Sequence, residues 1–245
     1  MLKKTFCHTN GITLNTENIL WLSGINSWDD FFKKCENINC LTLSQIHKIK
    51  TELTLSERYL ELGNLNYFRN KLPPKEHYRL RDYGKIAYVD IETTGLSKYS
   101  NDITLIGIYD GEKPHIYVRG KNLEDAKEHL RQFDIIVTFN GKLFDIPFIE
   151  HNFNEKYDII HLDLRFMFKE IGLSGGLKKI EKSIGIKRGE DVEDIDGFEA
   201  VKLWKKYERY NDLNALKLLL KYNKEDIINL KYLLDYYIDK KNKLT

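Results

Sequence analysis

Proline, cysteine and long apolar runs are all scarce in this chain. Four prolines among 245 residues exclude a collagen-like or proline-rich disordered chain. No run approaches the roughly 18 apolar residues of a membrane-spanning helix. Three cysteines at uneven spacing argue against a disulfide framework, and the first residues lack the apolar run of a signal peptide. We therefore expect a cytoplasmic protein.

Charge is almost balanced over the whole chain. There are 39 Lys and Arg against 37 Asp and Glu, a formal net charge of +2, which by itself indicates no nucleic-acid partner. The charges nevertheless come in blocks, because acidic residues 190–199 are followed by basic and aromatic residues over 202–210. Such blocks are ordinarily solvated faces, and only a neighbouring catalytic site would make them a track for a charged substrate.

Residues 1–82 predict a small helical domain. Its pattern indicates helices that include residues 44–50 and 56–70. The prolines at positions 73 and 74 end this pattern, because proline cannot continue a helix.

From residue 85 onward the pattern changes to β-strands rich in β-branched and aromatic residues. We expect a three-stranded meander, then two more strands alternating with helices, and helices from Asp163 to the end. This order predicts a mixed α/β sheet flanked by helices. The predicted strands are 85–92, 102–109, 115–119, 134–139 and 157–162.

The most informative motif is Asp90-Ile-Glu92-Thr-Thr-Gly-Leu96, at the end of the first predicted strand. Side chains alternate along a strand, so Asp90 and Glu92 point to the same face. The carboxyl end of a strand is where ligand sites gather in α/β sheets. Two carboxylates there repel each other, and a hard divalent cation would compensate the charge. The alternative is an exposed strand end with ordinary surface acids.

Two further motifs each contain an aspartate. Asn140-Gly-Lys-Leu-Phe-Asp145 follows a short apolar strand, and Asp145 opens the next helix, where its alternative role is an N-cap. Tyr222 and Asp226 are four residues apart in the last helix, so they share one face beside an apolar stripe that only Asn223 interrupts. The alternative for Asp226 is an exposed acid paired with a lysine.

Together these motifs resemble the DEDD exonucleases, which have the ribonuclease-H-like fold. They occur in that family's order, and Tyr222 stands where a sister subgroup has histidine, so the chain resembles the tyrosine (DEDDy) variant. The resemblance covers residues 85–238. It implies that residues 83–245 form a ribonuclease-H-like exonuclease domain.

The resemblance also implies a function: a hydrolase that removes nucleotides from 3′ ends of DNA or RNA with two divalent ions, Mg²⁺ or Mn²⁺. Asp90, Glu92 and Asp226 would hold the metal that activates water. Asp90 would also contact a second metal, which Asp145 supports. Tyr222 would orient the attacking water. Contacts with the nucleic acid, expected to be a single-stranded 3′ end, would come from Thr93, Thr94, Gly95, Leu96 and Asn140.

Residues 1–82 have a second resemblance, to a helix-hairpin-helix segment. It lies in Asn10-Gly-Ile12, in Leu22-Ser-Gly-Ile25 and in the helix that starts at Trp28. The usual Gly-x-Gly hairpin is missing, because only Gly11 is present. A DNA-binding domain and a packing domain both stay open.

Two other functions stay open as well. One is a nuclease of the same fold that cuts internally or at structured ends, which a cleft blocked by acidic residues 190–199 would favour. The other is a non-catalytic nucleic-acid-binding module, and the presence of all four carboxylates counts against it. A zinc site at Cys35, Cys40 and His47 lacks a fourth ligand. Asp163 is expected to cap a helix rather than to bind metal.

Overall fold

The computed structural model of the protein describes residues 1–244. The chain divides into two compact units, residues 1–84 and residues 85–244. The first unit is helical, and the second combines a β-sheet with helices. No helix within the described residues is long and apolar enough to span a membrane.

In the helical unit, side chains cap the N-termini of the α-helices. Thr42 begins the longest helix with a capping box, in which its hydroxyl and the Gln45 side chain exchange hydrogen bonds with backbone N–H groups. We expected two helices over 44–50 and 56–70, which is wrong. Residues 51–55 contain no glycine or proline, so one helix continues to the turn at Gly63. The helices are α1 Leu14–Leu22, α2 Trp28–Lys34, α3 Leu43–Glu61 and α4 Leu65–Lys71.

A buried ion pair lies inside the helical unit. Glu17 is fully buried and accepts hydrogen bonds from the backbone N–H groups of Phe6 and Cys7. Arg79 pairs with Glu17 at 2.7 Å and with Glu76 at 2.7 Å. Burying these charges is tolerated because each has a partner of opposite sign.

The second unit contains the predicted mixed sheet. Its strands are β1 Ile86–Thr93, β2 Ile103–Tyr109, β3 Pro114–Val118, β4 Ile135–Thr138 and β5 Ile160–Asp163. Their spatial order is β3-β2-β1-β4-β5, in which β1, β2 and β3 pair antiparallel while β1, β4 and β5 pair parallel. The predicted meander followed by parallel strands is therefore confirmed.

Helices cover both faces of this sheet, and the alternation along β1 determines what faces each layer. Ala87, Val89 and Ile91 point into a core with two helices that follow β3 and β4. The opposite face packs against the last two helices. The helices of this unit are α5 Asp125–Leu130, α6 Asp145–Phe153, α7 Leu164–Glu170, α8 Leu177–Ser183, α9 Gly197–Tyr210 and α10 Leu213–Leu244.

The interpretation of the whole chain after Asp163 as helical is wrong for residues 184–196. They form an irregular connection between α8 and α9. Gly185, at φ +86°, follows the end of α8, a backbone conformation that glycine adopts readily. The connection is held by Lys178, whose Nζ donates to the carbonyl oxygens of Val192 and Glu193.

Candidate active site

Strand β1 supplies two carboxylates from its carboxyl end. Asp90 and Glu92 lie on the face that turns toward α10, and Asp90 is directly opposite Gly107 of β2. Glu92 is buried, and Asp90 is half-buried. The alternative, in which Asp90 and Glu92 are ordinary exposed acids at a strand end, is therefore wrong.

Helix α10 brings two more groups to the same place. Tyr222 and Asp226 are one turn apart, and Asp226 is only 3% exposed. Asp90, Glu92 and Asp226 each offer one oxygen atom, and these atoms all lie within 4.8 Å of one another. The alternative of an exposed Asp226 beside a lysine is wrong, because its partner is the buried guanidinium of Arg188 at 2.5 Å.

The fourth carboxylate, Asp145, comes from the other layer of the domain. It is the first residue of α6, is 4% exposed and makes no capping hydrogen bond to that helix. Its Oδ1 instead accepts the backbone N–H of Ile91 at 3.1 Å, so it is tied to β1. The alternative role as an N-cap is therefore wrong.

All ten predicted site residues line a single cavity of about 600 Å³. The predicted convergence of the four carboxylates is therefore found, while their roles stay predictions. Seven of the described residues that line this cavity were not predicted from the sequence. Phe198 lies in the acidic block and Lys205 in the basic one, and only the position of α9 brings them to the cavity. The lining residues that were not predicted are Ile91, Phe139, Phe144, Gly197, Phe198, Val201 and Lys205.

The rim of the cavity is apolar and exposed. Leu96 is 87% exposed and Phe198 is 71% exposed. Below Leu96, the loop after β1 is held by a hydrogen bond from the Thr93 hydroxyl to the Gly95 carbonyl, at 2.7 Å, and by one from Thr94 N to Asp102 O. A fixed loop with an exposed leucine is suited to contact a flat apolar group.

Asn140 is positioned by Asp163. The Asp163 carboxylate accepts the N–H groups of Asn140, Lys142 and Arg165, and the last of these bonds caps α7. The expectation that Asp163 is a helix cap is confirmed. Asn140 has a left-handed backbone (φ +70°), and its Oδ1 accepts the guanidinium Nη1 of Arg165 at 2.6 Å.

Burial and mutual repulsion make this site electrostatically unusual. Burial, and then the charge of Asp226, raise the pKa values of Asp90 and Glu92 well above their ordinary range. Burial raises the pKa of Asp145 to about 7. It raises that of Asp226 to about 6, although Arg188 opposes the change. Burial also raises the pKa of the Tyr222 hydroxyl, so that group stays protonated.

One of the carboxylates has a dedicated hydrogen-bond donor. Asn223, the polar residue that interrupts the apolar stripe, is fully buried and donates from Nδ2 to Oδ2 of Asp90 at 2.9 Å. Gly107 provides the space, because a Cβ there would lie 2.2 Å from Oδ1 of Asn223.

These residues fit a divalent metal site. The donors are carboxylate oxygens, which hard cations such as Mg²⁺ and Mn²⁺ prefer. The raised pKa values indicate negative charge that the protein compensates incompletely. Within residues 1–244, Asp90, Glu92 and Asp226 form the sole group of three or more potential ligands, which excludes the cysteine and histidine alternative.

The acidic block does not close the cavity. Of residues 190–199, the described side chains and backbone that line it belong to Gly197 and Phe198. Asp191 points elsewhere and pairs with Lys221 at 2.5 Å. The blocked cleft that would favour an internally cutting nuclease is therefore not found.

Comparisons with known proteins agree with this architecture. Residues 87–238 match a family model described as RNase H superfamily. A family B DNA polymerase from the archaeon Pyrobaculum calidifontis superposes with a TM-score of 0.50 at 13% identity, over 64% of this chain and 24% of the polymerase. This chain thus spans about a quarter of that polymerase. At this identity the similarity shows the fold alone.

A second solved structure is similar over more of its own length. NrnC of Brucella melitensis, bound to pGG, superposes with a TM-score of 0.46 at 16% identity, over 64% of this chain and 75% of NrnC. Among curated proteins, none matches the sequence of this chain.

Gly107→Ala is predicted to destabilise the protein through Asn223. The added methyl group overpacks the contact, which costs about 1–3 kcal/mol of unfolding free energy. Denaturant unfolding measures the loss. Gly176→Ala is the control, because a Cβ there meets nothing within 4 Å, and it should change stability by less than about 0.5 kcal/mol. The double variant Gly107→Ala/Asn223→Ala should regain part of the loss, and a strictly additive double variant would contradict the contact.

Asp145→Asn is predicted to stabilise the metal-free protein at alkaline pH. The pKa of Asp145 is about 7 in the folded chain against 3.8 ordinarily, so folded protein retains a proton that unfolded protein releases in this range. The stabilisation is present below pH 3.8 and is lost as pH rises through about 7. The Tm of the wild type should therefore fall more steeply than that of the variant from pH 5 to 8. At pH 8 the Tm of the variant should be the higher one, by about 2–4 °C for each kcal/mol gained in unfolding free energy.

Thermal melts in chelator at several pH values test this expectation. Glu112→Gln, which removes an exposed acid outside the cluster, should keep the wild-type slope. An Asp145→Asn protein with the wild-type slope and a lower Tm at every pH would contradict it.

Proposed function

The chain belongs to the RNase H superfamily, and we propose that it is a metal-dependent 3′–5′ exonuclease that hydrolyses phosphodiester bonds of DNA or RNA. The observation that carries this proposal is the convergence of four carboxylates in one open cavity, three of them buried (Glu92, Asp145 and Asp226) and one half-buried (Asp90). Like charges are costly to bury together, and binding of cations is the function that such a cluster supports best.

Two divalent ions, Mg²⁺ or Mn²⁺, are the proposed cofactors. Asp90, Glu92 and Asp226 would hold one ion, which their close approach to one another supports. Asp90 and Asp145 would hold the second. When bound, such a pair of ions supplies an activated water and stabilises the leaving alkoxide. The Asn223 amide keeps Asp90 in place for both contacts.

Tyr222 is proposed to orient the attacking water, as in the tyrosine subgroup of the DEDD exonucleases. Its hydroxyl lines the cavity beside Asp226 and is buried. A phenol that keeps its proton is a poor general base, and burial raises the pKa of Tyr222 further. The hydroxyl therefore acts as a fixed donor and acceptor rather than by removing a proton.

The proposed substrate is a single-stranded 3′ end. Leu96 and Phe198 are exposed apolar side chains that line the cavity, and they would contact the terminal bases. Aromatic and apolar contacts accept any base, and Lys205 adds positive charge to the same wall. The backbone of Thr93 to Leu96 would hold the terminal nucleotide, and Asn140 would hold the strand.

We further propose a division of labour along the chain. Residues 83–245 would form the catalytic domain, and residues 1–82 a separate helical domain that adds nucleic-acid contacts or packing. Three free cysteines favour a reducing environment, and the cytoplasm is the proposed location.

A nuclease assay with defined oligonucleotides tests the proposed function. The substrates are single- and double-stranded DNA and RNA, labelled at the 5′ end. Single-stranded DNA or RNA should shorten stepwise from the 3′ end with Mg²⁺ or Mn²⁺ and stay intact in chelator. Circular single-stranded DNA should also stay intact. Cleavage of the circle would favour the endonuclease alternative. Metal-independent binding without any cleavage would favour the non-catalytic module.

Asp226→Asn and Tyr222→Phe are predicted to fail in different ways. Asp226→Asn removes charge that would hold a cation, so metal affinity and rate should both fall. Tyr222→Phe deletes only the hydroxyl, so it should lower the rate at saturating metal by about 10- to 1000-fold and leave metal affinity unchanged.

Single-turnover rates against metal concentration separate the two variants. A Tyr222→Phe protein whose metal midpoint shifts while its plateau stays at the wild-type value would exclude the water-orienting role. Two variants that both behave as wild type would show that the active site lies elsewhere.

A further inference from the structure

A buried arginine contacts the carboxylate cluster from outside its cavity. The side chain of Arg188 is only 4% exposed, and its Nη2 lies 2.5 Å from Oδ1 of Asp226. Arg188 belongs to the irregular connection 184–196, and no motif of the sequence indicated a role for it. A guanidinium is permanently charged, so Arg188 does not lose its charge over the pH range in which the protein is folded.

The guanidinium is itself held from behind by Glu181 of α8. Its Nε donates to Oε2 of Glu181 at 2.7 Å, and its Nη2 donates to Oε1 at 2.8 Å. Asn229 of α10 then donates to Oε1 of Glu181 at 3.0 Å. The contacts thus run from Asp226 through Arg188 and Glu181 back to α10, less than one turn after Asp226.

Arg188 is not placed to contact a substrate. The side chains of residues 1–244 that line the carboxylate cavity do not include it, and it lines a separate cavity together with Lys182 and Lys187. Its Nη1 is buried without a hydrogen-bond partner, so the guanidinium makes its hydrogen bonds to Glu181 and an ion pair to Asp226, whose Oδ1 has no hydrogen-bond donor. Its guanidinium carbon also lies 5.6 Å from the ring centre of Tyr222.

We propose that Arg188 is a positioning residue, which Glu181 holds so that it fixes Oδ1 of Asp226 and leaves Oδ2 for the metal ion. This inference rests on the proposed function, because it assigns Asp226 to a metal. Two parallel hydrogen bonds to Glu181 hold the planar guanidinium in one orientation, so Asp226 faces a fixed counter-ion rather than a flexible one. Partners that orient metal ligands typically change metal affinity or activity about 10- to 100-fold when they are removed.

A role of Arg188 in supplying charge and a role in positioning Asp226 predict opposite changes in metal affinity when Arg188 is removed. If Arg188 only supplied positive charge, its removal would leave the cluster more negative, and a divalent cation would bind more tightly or equally well. If Arg188 positions Asp226, its removal frees that carboxylate to rotate, and the cation binds more weakly. The sign of the change in affinity therefore separates the two roles.

A charge-neutral double variant makes the test sharper. Arg188→Met/Glu181→Gln removes one positive and one negative charge, so the net charge around Asp226 is unchanged. Mn²⁺ binding to the full chain is measured by isothermal titration calorimetry. The expected result is affinity about 10- to 100-fold below wild type, because local net charge is unchanged while the orientation of Asp226 is lost.

The control removes a similar pair far from the cluster. Arg131 and Glu155 form a two-pronged ion pair, at 2.9 and 2.7 Å, on the exposed surface of the same domain. Arg131→Met/Glu155→Gln should bind Mn²⁺ as wild type does. Arg188→Lys is the second variant if the double variant does not fold. It keeps the charge and loses the fork, so it should also bind Mn²⁺ more weakly.

The outcomes separate this inference from the proposed function. Wild-type protein that binds no Mn²⁺ would overturn both. A second outcome would overturn the positioning role alone. In it, wild-type protein binds Mn²⁺, Asp226→Asn abolishes that binding, and the double variant or Arg188→Lys binds Mn²⁺ with an affinity within twofold of wild type. Weaker binding by the Arg188 variants, with an unchanged control, supports it.

Discussion

The burial of four carboxylates in one cavity is the constraint on which the rest of this domain depends. Their raised pKa values record the cost of keeping Asp90, Glu92, Asp145 and Asp226 together away from water. The fold holds them by contacts that cannot easily relax. A strand fixes two on one face, a hydrogen bond to β1 fixes Asp145, and a long helix crossing the sheet fixes the last. The apolar cores on both sides of the sheet stabilise the folded state and offset the free-energy cost of this arrangement.

Much of this could be predicted from sequence because its determinants are local. Alternation on β1 places Asp90 and Glu92 on one face, and a separation of four residues places Tyr222 beside Asp226. The succession of strands along the chain and the mixed sheet were also predicted correctly. The errors came where local signals are weak. Residues 184–196 contain helix formers but are held by Lys178 in an irregular path, which depends on contacts distant in sequence.

The environment of the site could not be predicted, because it is set by packing between elements. In the sequence, Asn223 was a polar interruption of an apolar stripe with no assigned role. Only the packing of α10 against β2 shows that its side chain contacts Asp90, in space left by the missing side chain of Gly107. Phe198 lay within an acidic block that suggested a solvated face. Asp145 was assigned a possible capping role from its position, yet its hydrogen bond goes to a different element. Motifs identify reactive groups, whereas tertiary contacts decide their partners.

The distribution of the four carboxylates along the chain has a consequence for biosynthesis. A ribosome releases the polypeptide from its amino end, and domains fold as their residues emerge. All five strands end by Asp163, so the sheet is complete while α10 has still to be made. Until Asp226 emerges and docks, the nascent protein lacks one wall of its cavity. A chain whose synthesis stops before Asp226 therefore lacks one of the four carboxylates together with the helix that holds it.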